Sequence, residues 1–189
     1  MKPERQRNLQ DLLVFFLLVA IGVAGRWGQP AWCFTPTAAA SLFAGMYFSR
    51  VAIAAMVPIA ILAISDLMLP AHDNLPVLLA TYAIMTVPVF LGRLQRGEQP
   101  RWLAASKWAL FALVPATLFF IVTNFAVWAF QSDYPKTLAG LGQCYWAAVP
   151  FFRWMLAGDV FYLAVLLGCW IVAGAPRWNQ LQPVKEIAK

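Results

Sequence analysis

Six apolar runs, joined by short polar or charged segments, organise the chain, at about residues 12–26, 36–48, 51–69, 76–92, 107–130 and 153–174. A hydrocarbon core of ~30 Å needs about 20 helical residues to cross it, so runs of this kind predict membrane-spanning helices. The fifth run is the longest and clearest. The second is short and rich in small residues, and is expected to tilt, to thin the bilayer or to pack inside the bundle. Pro58, Pro88 and Pro115 fall inside runs, where neighbouring helices can re-satisfy the carbonyls they free. The predicted fold is an all-α integral membrane protein, a six-helix transmembrane bundle forming a single domain over residues 1–189. Between the last two runs lies QSDYPKTLAGLGQCYWAAVPFFRW, too apolar for a solvated loop. Residues 131–152 are expected to form an outer, lid-like loop whose centre, Thr137 to Val149, is a short helix. The alternative is an interfacial helix anchored by Tyr145 and Trp146.

Composition strengthens this reading. Hydrophobic residues make up 62% and charged residues 12% of the chain, against about 25% charged in soluble domains. The mean hydropathy is +0.68 and the pI about 9.6. Basicity of this kind suggests nucleic acid only when it clusters on a soluble face; here the basic residues occupy the joints between apolar runs, and no nucleic-acid partner is expected.

With the N-terminus inside, eleven of the fourteen Lys and Arg residues fall on the cytoplasmic side, leaving Arg26, Lys136 and Arg153 outside. This asymmetry predicts a multi-pass membrane protein of six spans with both termini in the cytoplasm. A basic flank (Lys2, Arg5, Arg7) precedes the first run without an A-x-A site, the pattern of an uncleaved span. Cys33, Cys144 and Cys169 show no zinc spacing; Cys33 and Cys144 share a side and could pair, whereas Cys169 reads as a core residue.

Polar residues inside the runs carry the candidate chemistry. FFIVTNFAVWAF buries a carboxamide, Asn124, six residues or roughly 9 Å from the end of its run. Arg26 ends the first run, Asp66 lies a turn before the end of the third, and Arg153 opens the sixth with Asp159 six residues later. All belong to the predicted outer half, so they read as one polar layer. A charge within a span is by default a functional-site candidate; the alternative is that these groups pair and only staple helices. Trp32, Phe34, Trp128, Tyr134 and Tyr145 could line a cavity above the layer, or serve as an aromatic belt. His72, the lone histidine, is either solvated or a contact at the cavity mouth. No donor set for a free metal ion stands at ligand spacing, no cofactor is implied, and hydrolase, zincin and nucleotide-loop motifs are absent. Ala20/Ala24, Ala40/Ala44 and Ser41/Gly45 are small pairs that allow close helix approach, within the bundle or to another subunit.

The stretches FTPTAAASLFAGMYFS, AISDLMLP, FFIVTNFAVWAF and YPKTLAGLGQCYWAAVPFFRWMLAGDVFY resemble an uncharacterised bacterial family of membrane transport proteins, over about Arg26 to Gly168. The family's form is in turn similar to the substrate-binding (S) components of energy-coupling factor (ECF) vitamin transporters. The resemblance implies six helices, cytoplasmic termini and an outward ligand pocket. It also implies that Ala20 and Ala24 meet a coupling subunit that works with ATPases. A vitamin is the implied substrate, cobalamin first, with His72, Cys33 or Cys144 reaching its cobalt. The competing readings are a structural or assembly membrane protein and, last, an intramembrane enzyme using Asp66 or Asp159.

Overall fold

Each apolar run becomes a helix, but the helices differ in length more than the runs do. The computed structural model describes residues 2–69, 74–95 and 101–172, with side chains from residue 5 in the first helix and from residue 110 in the fifth. Six helices follow in order: α1 (Lys2–Trp27), α2 (Thr37–Tyr47), α3 (Val51–Ser65), α4 (Leu75–Leu94), α5 (Arg101–Phe130) and α6 (Leu138–Val172). Four of them, α1, α4, α5 and α6, are long and apolar enough to cross a membrane. This is a membrane protein by the length and composition of its helices. The remaining two are shorter: α3 has 15 residues and α2 has 11, about 17 Å of rise.

The short α2 is the axis of the bundle. Thr37 through Met46 are all buried, and the helix touches α1, α3, α4, α5 and α6. Its small side chains explain why. A Cβ added to Gly45 would lie 2.0 Å from the Val89 carbonyl oxygen on α4, and one added to Gly92 of α4 would lie 2.0 Å from that of Leu42. The two glycines let the backbones of α2 and α4 touch, and Ala40, Ser41 and Ala44 share the same interior. The polar residues on α2 are locally satisfied: the Ser41 hydroxyl donates to the Thr37 carbonyl at 2.7 Å.

Contacts at the helix ends show the antiparallel order. The Trp27 indole donates to the Ser65 carbonyl at 3.1 Å, joining the end of α1 to that of α3. Arg93 near the end of α4 donates to the Ser49 carbonyl before α3, and Asn74 donates to the Phe130 carbonyl at the end of α5. Asn74 also accepts from the Val77 N–H and so caps α4, with Pro76 in the first turn.

One boundary departs from expectation. The segment 131–152 is helical from Leu138 onward, and the short outer helix is continuous with the sixth run through Pro150. The connection shrinks to residues 131–137, where the Trp128 indole and the Lys136 ammonium donate to nearby carbonyls and Thr137 caps the Gly140 N–H. At 35 residues, α6 is about 52 Å long, well beyond a ~30 Å hydrocarbon core. Cys169, expected in the core, is exposed on the outside of α6.

Candidate functional site

The polar residues of the runs fall into separate groups. At the ends of α1 and α3, Arg26 Nη2 meets Asp66 Oδ1 at 2.7 Å, and the Tyr82 hydroxyl of α4 donates to Asp66 Oδ2 at 3.0 Å. Both carboxylate oxygens are therefore engaged, and three helices are tied at one point. Arg26 Nε remains buried without a partner.

Asn124 does not join this group. Its Nδ2 donates to the Phe120 carbonyl one turn back at 2.7 Å, so the amide nitrogen finds a partner inside its own helix. Its backbone carbonyl accepts from the Cys144 thiol, and the Tyr145 hydroxyl donates to the Ile121 carbonyl at 2.7 Å. These bonds clamp the first part of α6 onto α5. Trp128 belongs to the 131–137 connection, with the Lys136 ammonium 5.9 Å from its ring, and Tyr134 is half-buried there. Arg153 is exposed and lies 5.5 Å from the ring of its neighbour Trp154.

Asp159 is the exception. It is 5% exposed, and its Oδ2 has no hydrogen-bond partner. Counted from Leu138, it sits 21 residues along α6, about 31 Å, rather than one and a half turns below its start. It faces a crevice too narrow to admit a water molecule, lined by residues that include Ala38 and Ala39 of α2, Phe111 and Pro115 of α5, and Leu163. Ala38 and Ala39 belong to the first turn of α2, which no side chain caps. The positive end of that helix dipole thus shares the crevice with the carboxylate. Beside it, Gly158 gives the loop before α2 a close approach: a Cβ there would stand 3.0 Å from the Thr35 nitrogen. Phe34 follows, with its ring centroid 5.7 Å from Phe161 and 5.4 Å from Tyr162. Trp32 in the same loop is 68% exposed.

A family model matches residues 6–181, nearly the whole chain, under the description family of unknown function (DUF6580). The chain belongs to that family. No curated protein and no solved structure matches it.

Within this DUF6580 chain, the described contacts bring Arg26 and Asp66 together and leave Asn124, Arg153 and Asp159 apart from them. His72 lies outside the described residues. Ala20 and Ala24 are exposed on α1, facing away from the bundle. Cys33, Cys144 and Cys169 are free thiols; Cys144 is buried and Cys33 half-buried. Burial pushes the Cys33 thiol above its ordinary range, with the Arg26 charge pulling the other way. Among the described residues, no group of three His, Cys, Asp or Glu side chains is gathered to hold a metal. Sequence reasoning missed Tyr82, whose signal was a phenol inside the apolar run LLATYAIM, and it missed the dipole of α2.

Proposed function

We propose that this DUF6580 chain is a multi-pass uptake component of the bacterial inner membrane, with both termini cytoplasmic. In this reading it binds a small molecule of the vitamin class and passes it inward, in the manner of an ECF S component. The observation that carries the reading is Asp159. An unpaired carboxyl in a dry core is destabilising by several kcal/mol, and a fold under no functional demand replaces it with an apolar residue. The exposed Ala20/Ala24 face of α1 supports docking of a second membrane subunit there.

The crevice beside Asp159 has no room for even a water molecule, against the ~300–1,000 Å³ of ordinary ligand pockets. Admission of a solute therefore requires α5 and α6 to part from α2, so the described conformation corresponds to a closed state. Cobalamin coordination by Cys144 would require its buried thiol to leave the Asn124 carbonyl. The test is calorimetric titration of the purified chain with a vitamin panel. Saturable binding of one member, weakened at least about tenfold by Asp159→Asn in a variant that still unfolds cooperatively, is the expected result. An absence of binding across the panel counts against vitamin uptake.

A second reading, a structural or assembly protein, draws on the Arg26–Asp66–Tyr82 tie, whose carboxylate is fully engaged and needs no ligand. On that reading Asp66→Asn lowers the yield of folded protein, and Asp159→Asn raises its stability with no other consequence.

A further inference from the structure

At the opposite end of the molecule from the Arg26–Asp66 tie, a groove of about 840 Å³ runs between the start of α1 and the start of α3. Its lining is sorted along the helix axes. Arg7 and Asp11 on α1 and Arg50 ahead of α3 occupy the polar part. From the next residue on, the lining becomes apolar, with Leu12 and Phe15 on α1 and Ile53 and Met56 on α3. Leu12 and Met56 are 54% and 50% exposed, so the apolar part is open along its side. Phe15 packs edge-on against buried Phe48, with ring centroids 6.4 Å apart, which holds the wall of the groove in place. Among the described residues neither Arg7 nor Arg50 has a carboxylate within ion-pairing distance; Asp11 has no such cation, and its carboxylate accepts a hydrogen bond from the Tyr47 hydroxyl, which leaves lone pairs for a second donor.

We propose that this groove holds one phospholipid bearing a primary amine in its headgroup. Two guanidiniums provide the fork geometry that phosphate oxygens accept. A carboxylate one turn from Arg7 accepts hydrogen bonds from the ammonium on the other side of that phosphate. The apolar residues below this polar cluster receive the acyl chains, and the ammonium folds beside the phosphate to reach Asp11. A purely anionic lipid would leave Asp11 facing it with like charge. A choline headgroup has no N–H to donate to Asp11. The arrangement thus selects phosphoethanolamine chemistry, and the open apolar wall selects its lipid-borne form over a free one.

Native mass spectrometry of the purified chain in detergent, titrated with phosphatidylethanolamine, phosphatidylcholine or phosphatidylglycerol of identical acyl chains, tests this. Phosphatidylethanolamine is expected to bind as a single adduct, about tenfold more tightly than either of the others. Asp11→Asn should remove that preference while leaving residual binding, and Arg50→Ala should weaken all three lipids together. Arg50 is exposed and Asp11 only half-buried, so both variants should keep the lipid-free unfolding temperature of the parent chain. Equal binding of the three lipids, a preference that survives Asp11→Asn, or equally tight binding of soluble phosphoethanolamine would each overturn the proposal.

Discussion

Cys33 adopts a φ of 70°, the left-handed region that a side chain with a Cβ occupies only under strain. Its N–H is held by the Gln29 side-chain oxygen at 3.0 Å, so the turn is imposed by the loop. Cys33→Gly should therefore raise stability by about 1 kcal/mol, read as a shift in thermal unfolding in detergent, whereas Cys33→Val should lower it. The Arg26–Asp66 pair makes the opposite kind of statement. Removing either partner strands a part-buried charge, so each single alanine variant should lose more than the pair is worth. In a double-mutant cycle the combined variant should fall short of additivity by about 1–3 kcal/mol. Additive losses would mean that the tie contributes nothing.

Between elements, the decisive contact is the crossing of α2 and α4. The Cβ positions 2.0 Å from carbonyl oxygens belong to backbone on both sides, and backbone cannot rotate away as a side chain can. Gly45→Ala and Gly92→Ala should each destabilise the bundle by about 1–3 kcal/mol or more, with the loss visible as reduced folded yield and earlier thermal unfolding. The junction of α5 and α6 follows a different logic. Trp128, Lys136, Tyr145 and Cys144 all donate to main-chain carbonyls of α5 or of the 131–137 connection. The two helices are joined both through these backbone acceptors and through ring contacts of Phe120 with Tyr145 and Phe152, and this arrangement places an apolar helical segment where a lid or an interfacial helix was expected.

For the whole molecule, the same residue type behaves oppositely on different faces. Ala40 is 0% exposed at the centre of α2, while Ala20 and Ala24 face outward from α1. Ala40→Leu should prevent folding, because no neighbouring helix can withdraw from the axis of the bundle. Ala20→Leu combined with Ala24→Leu should leave the isolated chain within about 0.5 kcal/mol of its original stability. Thermal unfolding of the two variants in one detergent checks both expectations. A large loss in the α1 variant would place that face inside the fold and remove the proposed docking surface.

The apolar runs by themselves determined that the chain is helical and belongs in a membrane, because continuous apolar runs approaching ~20 residues match a spanning helix rather than the ~10-residue alternating strands of a closed barrel. They also marked α2 as short and rich in small residues, free to tilt, to thin the bilayer or to pack inside; the tertiary structure buries it at the centre. Which polar residues meet was decided elsewhere. Asp66 finds Arg26 across 40 positions and Tyr82 across 16, and no local pattern encodes such distances. Asn124 has a partner one turn away, so the side chain that looks most out of place in the sequence bonds within its own helix. Asp159 looked like one member of a layer and is the carboxyl left without a hydrogen-bond partner on Oδ2, since extension of α6 back to Leu138 carries it against the first turn of α2. Hydrophobicity sets which segments are buried; only the packing of one helix against another sets what a buried charge faces.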